Sequence, residues 1–240
     1  MRFTRKVVPV TALILGLCLV TGLSAYGNGI TGKGLRLGAA WGSLNTNHEE
    51  FDAGTAGGFT GGVFLTYGLT PRLSVQPELM YVSKGTGSGS LFGNAGYDFD
   101  YIELPVLLKY TLAPNTRVIP SVFAGPTGGV LVSAEIYHDG LFYNNYRNDV
   151  SDGMKSTDFG IVVGAEFEFN NTKAVHIVVD CRYTFGLVNV IDPQEWNDNQ
   201  KIVDEGDSGL LHWEDYDRPL IPEGASAKNR AFAVTVGVRF

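Results

Sequence analysis

The chain ends in a segment with a strict period of two. Phe232, Val234, Val236, Val238 and Phe240 fall on one face, and Ala231, Ala233, Thr235, Gly237 and Arg239 on the other. An extended strand sorts odd from even residues in this way, because successive side chains leave opposite sides of the pleat. The pattern recurs at 159–169, where Phe159, Ile161, Val163, Ala165, Phe167 and Phe169 oppose Gly160, Gly164, Glu166 and Glu168. It recurs again at 174–186, where Val175, Ile177, Val179, Cys181, Tyr183 and Phe185 oppose His176, Asp180, Arg182 and Thr184. Each such strand needs an apolar surrounding on one side and a polar one on the other, and few folds supply both along their whole length.

The same periodicity predicts strands at 34–44, 57–69, 73–84, 97–112, 117–136, 156–169, 174–190 and 229–240. Their connections alternate in length. Short turns carry Thr70-Pro71-Arg72, Ala113-Pro114-Asn115-Thr116 and Asn170-Asn171-Thr172-Lys173, while long polar loops fill 45–56, 85–96, 137–155 and 191–228. Eight strands, tight turns at one end and long loops at the other predict an all-β fold: an eight-stranded antiparallel up-and-down transmembrane β-barrel with its short turns in the periplasm.

Composition narrows the rest. With 44% hydrophobic residues, 12% aromatics and 31 Gly, the chain is too apolar for disorder and too rich in glycine and aromatics for a helical bundle. A formal charge of −7 with no basic cluster excludes a nucleic-acid binder. Arg2, Arg5 and Lys6 precede an apolar run from Val7 to Leu23 and the small residues Ser24 and Ala25, which predicts a signal peptide over 1–25 and a barrel domain over 26–240. Cys18 leaves with that signal, so Cys181 has no partner for an internal disulfide. No later run reaches the roughly 18 apolar residues of a spanning helix, so a mature chain that enters a membrane does so as strands.

A soluble lipocalin-type barrel would also alternate, with its apolar face lining a cavity. Two features place the apolar face outside instead. It carries essentially no charge, and its aromatics gather at two heights: Tyr67, Tyr110, Phe169 and Phe240 at the periplasmic rim, and Trp41, Phe59, Tyr81, Tyr183 and Phe185 at the outer rim. The opposite face carries Arg36, Glu78, Glu103, Lys109, Glu135, Glu166, Glu168, Asp180, Arg182 and Arg239, sparse and of mixed sign as a narrow lumen requires. Strand direction puts Arg36, Lys109, Arg239, Glu166 and Glu168 low and Glu78, Glu103, Asp180 and Arg182 nearer the middle, which predicts two stacked ion-pair layers that fill the barrel as a structural network. The alternative is a thin water channel through the same charges. Pro77, Pro105 and Pro120 fall inside strands, where bulges are expected to absorb the missing N–H. Gly125-Pro126-Thr127-Gly128-Gly129 is expected to interrupt the fifth strand.

Three stretches carry a family resemblance: Leu73-Ser74-Val75-Gln76-Pro77-Glu78-Leu79-Met80-Tyr81, Tyr101-Ile102-Glu103-Leu104-Pro105-Val106-Leu107-Leu108-Lys109-Tyr110, and Phe123-Ala124-Gly125-Pro126. With Arg182-Tyr183-Thr184-Phe185-Gly186-Leu187 they resemble the PorT-like outer-membrane β-barrel family of Bacteroidetes, over about 34–190 and the final strand. The resemblance implies a bacterial outer-membrane location and a setting in protein secretion, and it accounts for the strand prolines as family features. Val238-Arg239-Phe240 is similar to the C-terminal aromatic signal read by the barrel-insertion machinery. The acidic loop 191–228 lies outside the pattern.

Candidate chemistry is sparse. His48, His138 and His212 fall in expected outer loops, and His176 lies on the lumen face near the periplasmic mouth. The nearest lumen acid on its own strand, Asp180, is about 13 Å away, too far to orient a general base. No catalytic residue, metal ligand or cofactor site is therefore assigned. Gly85-Thr86-Gly87-Ser88-Gly89 opens no helix after a strand, so phosphate cradling has no support. In the acidic loop, Asp204, Glu205 and Asp207 form the densest carboxylate group but match no complete calcium loop. Trp196, Trp213 and Tyr216 in the same loop suit contact with a protein partner. The expected protein is non-enzymatic, a barrel anchored among outer-membrane lipid and lipopolysaccharide with outer loops for partner interaction. Two alternatives remain: a small transporter or pore, and a barrel enzyme acting on lipid or peptide.

Overall fold

Adjacent alternating segments pair along their lengths until the last returns to the first. The computed structural model describes residues 29–47, 54–90, 93–140, 146–170, 175–192, 194 and 224–240. The expected signal peptide, the carboxylate group at 204–207, Trp196, Trp213, Tyr216, His48 and His212 lie outside them. The strands are β1 (Gly29–Thr46), β2 (Ala56–Gly68), β3 (Leu73–Ser90), β4 (Gly93–Thr111), β5 (Val118–Gly140), β6 (Tyr146–Asp149), β7 (Thr157–Phe169), β8 (His176–Gly186) and β9 (Ala227–Arg239). Antiparallel pairing runs β1–β2–β3–β4–β5–β7–β8–β9 and closes through β9–β1, an eight-stranded ring with no free edge. β6 stands outside the ring: it pairs with β5 at 135–138, above the last β5–β7 pair, Val130↔Thr157.

The apolar face points outward. Leu35, Leu37, Val63, Leu79, Ile102, Leu108, Val122, Ile161, Val163 and Val236 are all exposed on the wall. In a soluble protein such an area would mark an interaction surface, and around a closed barrel its solvent is hydrocarbon. The outer aromatics form a belt in which Trp41, Phe232 and Tyr183 are paired across β1, β9 and β8. Trp41 stacks on Phe232 at 5.9 Å, and Phe59 lies 6.3 Å from Tyr81. At the other rim Tyr110, Phe169 and Phe240 are exposed. Tyr67 departs from the expectation: it is only 9% exposed, paired with Ile30 beside the irregularity between Ile30 and Gly32.

The structure corrects several sequence expectations. Residues 85–90 and 93–96 of the expected glycine-rich loop 85–96 instead extend the β3–β4 pair, in register from Gly85↔Asp98 to Ser90↔Gly93. A Cβ on Gly42 would come within 2.6 Å of Gly85 N, so the small residues here permit close backbone approach across the barrel interior. The segment 137–155 likewise holds the end of β5, all of β6 and a 3₁₀ turn at Ser151–Gly153, which puts His138 in a strand. β8 stops at Gly186, before the expected 190.

β5 runs uninterrupted through Gly125-Pro126-Thr127-Gly128-Gly129. A Cβ on Gly125 would meet Val106 O at 2.0 Å, so glycine is required where β4 crosses closely. The prolines are not absorbed by bulges. Pairing skips two residues beside Pro77 on the β2 side, beside Pro105 on the β3 side and beside Pro126 on the β4 side, then resumes in the same register. Pro120 sits one residue before the first β4–β5 pair, Thr111↔Ser121, so its missing N–H falls where that ladder ends. The bulge that does matter is at Val132 in β5, between the pairs Tyr101↔Leu131 and Asp100↔Ser133. One extra residue exchanges the two faces of the strand above it. Glu135, expected in the lumen, is therefore outside, partly exposed and 3.5 Å from Arg147 of β6.

Candidate functional site: the filled lumen

Among the described residues, the ionic side chains that point into the lumen meet in three clusters rather than two layers. The largest lies midway. Arg36 of β1 donates through Nη1 to Asp180 and through Nη2 to Glu166 Oε2 at 3.1 Å, and its Nη2 is 3.5 Å from Glu78. Arg182 of β8 donates to Glu78 Oε2 at 2.6 Å and to Asp180 Oδ1 and Oδ2 at 3.0 and 2.7 Å. Lys109 of β4 donates to the other Glu166 oxygen. Three cations thus meet three carboxylates, all nearly without exposure. Gln76 ties the cluster to its wall, donating to Glu78 Oε1 at 2.8 Å and accepting from Thr66 Oγ1 at 3.0 Å.

Two rings roof the guanidinium groups. Arg36 lies 4.3 Å from the centre of the Phe64 ring, and Arg182 lies 5.4 Å from that of Phe123. Glycines make room for both rings. A Cβ on Gly34 would sit 2.4 Å from the Phe64 ring, and one on Gly164 would sit 2.5 Å from the Phe123 ring.

Toward the periplasmic mouth, Arg239 Nη1 donates to both oxygens of Glu168 at 2.5 and 2.6 Å, and His176 Nδ1 lies 2.6 Å from Glu168 Oε1. The acid that His176 meets is therefore Glu168 of the neighbouring strand, not Asp180 of its own. Toward the outer end, Lys84 donates to Glu103 and, at 3.3 Å, to Asp158 Oδ2. Asn229 donates to the same Asp158 oxygen at 2.8 Å and to the Tyr101 hydroxyl at 3.2 Å.

Sequence position alone misplaced four of the expected residues. Arg36, Lys109 and Glu166 join the middle cluster rather than a low layer, and Glu103 belongs with Lys84 in the outer one. Strand tilt and stagger in a barrel separate distance along a strand from height in the ring. Lys84 and Asp158 were missed, although both share a face with assigned lumen residues: Lys84 with Glu78 on β3, Asp158 with Glu166 on β7.

An apolar group closes the lumen beside and above the Lys84 cluster. Tyr97, Phe99, Tyr101, Ala134 and Ile136 pack inside the ring with Leu44 and Ala227, and Val150, Met154, Val190 and Ile191 close over them, all buried. Backbone bonds hold this lid: Val150 N donates to Ala134 O, Lys155 N to Val190 O, and Val190 N to Ala227 O, at 2.8 to 2.9 Å. Asn189 Oδ1 accepts from Ile191 N and Ala227 N at 3.3 and 2.8 Å. The sequence signal was present in Val190 and Ile191, two apolar residues at the head of an otherwise acidic loop.

A family model described as "outer membrane protein beta-barrel domain" matches residues 31–192. No curated protein matches the chain. Among solved structures, the Neisserial surface protein A is 14% identical with a TM-score of 0.47, covering 88% of this chain and 98% of its own. The outer membrane protein OprG of Pseudomonas aeruginosa is 12% identical with a TM-score of 0.46, covering 90% and 97%. The outer membrane protease OmpT of Escherichia coli is 12% identical with a TM-score of 0.43, covering 89% and 97%. The closed ring, its apolar outer wall and the family match agree: the chain belongs to the outer membrane protein beta-barrel domain family and resides in the bacterial outer membrane.

Proposed function

We propose that this barrel is a non-enzymatic membrane anchor, closed to solutes by its own side chains, whose outer loops meet a protein partner. The observation that carries this reading is the apolar lid formed by Val150, Met154, Val190 and Ile191 over three paired ionic clusters. A water-filled pathway would have to cross both a desolvated apolar plug and charges already committed to one another. The Lys84, Glu103, Arg36 and Arg182 network is on this reading structural. His176, Glu168 and Arg239 are on this reading a structural cluster at the mouth. The outer wall contacts lipid and lipopolysaccharide, and Phe240 serves the insertion machinery. The PorT-like resemblance supplies the setting, secretion or envelope maintenance.

Two measurements test the reading. In planar bilayers the purified protein is expected to give no steady porin-scale current; a steady current would favour the transporter reading. Pull-down from intact envelopes is expected to lose its partner when 195–222 is deleted, a deletion that spares Val190, Ile191, Ala225 and Ala227 of the lid. Unchanged capture would place the partner elsewhere on the barrel.

A further inference from the structure

The periplasmic mouth contains a cavity of about 220 Å³ below the middle ionic cluster. Three cations line it, Lys109, Arg239 and Arg72, against one carboxylate, Glu168. That carboxylate is already neutralised, since both of its oxygens accept from Arg239 and one also meets His176. The cations keep donors in hand. Lys109 is 5% exposed and uses one N–H on Glu166, and an ammonium has three. Arg239 Nε is buried with no hydrogen-bond partner, while its Nη1 and Nη2 serve Glu168 and Thr31 O. Arg72 is exposed on the turn between β2 and β3 at the rim. Hydroxyls complete the wall: Ser121 Oγ donates to Thr111 Oγ1 at 3.3 Å, which leaves the Thr111 hydroxyl proton for the cavity.

Lys109 is balanced by Glu166 and Arg239 by Glu168, so Arg72 brings the unbalanced positive charge to this cavity; with the spare N–H groups of Lys109 and the Thr111 hydroxyl on the same wall, that is a donor set suited to an oxyanion. The volume is below the roughly 300 Å³ at which pockets for drug-sized ligands begin. We propose that the periplasmic mouth binds a small oxyanion, a phosphate or carboxylate, either free or as the anionic end of a larger molecule, seated among Lys109, Arg239, Arg72 and Thr111. The site stands apart from the outer-loop surface, so it does not depend on the anchor reading.

The test uses the full-length protein in zwitterionic-lipid nanodiscs, titrated with inorganic phosphate or acetate against chloride at constant ionic strength. NMR follows the Thr111 and Ser121 amides and the Arg239 Nε–Hε signal. Saturable shifts of all three are expected, with affinity weakened several-fold in Arg72→Gln and again in Thr111→Val. Neither substitution touches an ion pair of the lumen, so both variants should fold. A parallel arm replaces part of the lipid with phosphatidylglycerol and omits phosphate. The same shifts there would identify a lipid headgroup as the source, and their absence would identify a soluble one; both outcomes keep the oxyanion site. Shifts that never saturate, an adventitious ion only, would overturn the proposal, as would saturable binding to which both variants are indifferent.

Discussion

Replacing Arg182 by Met removes one cation from the middle cluster and leaves three carboxylates facing Arg36 and Lys109. Arg182 supplies the hydrogen bonds to Glu78 Oε2 at 2.6 Å and Asp180 Oδ2 at 2.7 Å, and neither acid is open to water. Deleting one partner of a buried ion pair costs about 3–5 kcal/mol, because the surviving charge stays desolvated without compensation. The account therefore predicts that Arg182→Met lowers the unfolding free energy in lipid vesicles by about that amount. Glu78→Gln alone, which leaves Arg182 with Asp180 but disturbs Arg36, should also destabilise. The double variant holds two cations against two carboxylates and should recover part of the loss, with a coupling of about 2 kcal/mol or more in a double-mutant cycle. Urea titrations with tryptophan fluorescence, with gel mobility of the folded band as a second probe, would measure all three. Costs near zero, or strict additivity, would refute the view that these charges form one balanced unit.

Other perturbations probe the remaining parts. Gly164→Val should displace the Phe123 ring from Arg182 and lower stability by about 1–3 kcal/mol, read as a shifted urea midpoint; an unchanged midpoint would mean that the ring has room to move. Ile191→Ala in the lid should cost about 2–5 kcal/mol, since that side chain is 2% exposed; a negligible loss would show that the lid is not packed in the membrane-bound protein. Val63→Arg on the outer wall should cost about 2–4 kcal/mol near the bilayer midplane; tolerance at no cost would argue against hydrocarbon contact there.

The architecture was legible because lipid enforces period-two alternation on every strand, and Phe232 to Phe240 carry it without a break. Where that pressure lapses, the sequence became ambiguous. Above the belt, Gly85 to Ser90 pair as strand through backbone bonds, with glycine and serine side chains that show no apolar period. Glu135 was placed inside because one unseen bulge residue, Val132, inverts the alternation, and a bulge carries no composition signature of its own here. Bulges were expected instead at the prolines, where the ladder simply skips a row. On the lumen face, alternation marked which residues point inward but not their heights, so Glu103 was grouped with Glu78 although it meets Lys84. Lys84 was hidden by its position beside the glycine-rich run. The lid escaped because Val150, Met154, Val190 and Ile191 come from two segments far apart in sequence, joined among the described residues by the bridge Met154↔Ile191.

Nitroxide labels at positions 63 and 236, where Val63 and Val236 are 54% and 51% exposed on opposite flanks of β1, test the central claim most directly. In reconstituted vesicles, collision with oxygen, which partitions into lipid, should exceed collision with a water-soluble nickel chelate at both positions. Preferential quenching by the nickel reagent would place water against that wall and contradict a barrel that carries its apolar face outward into the membrane.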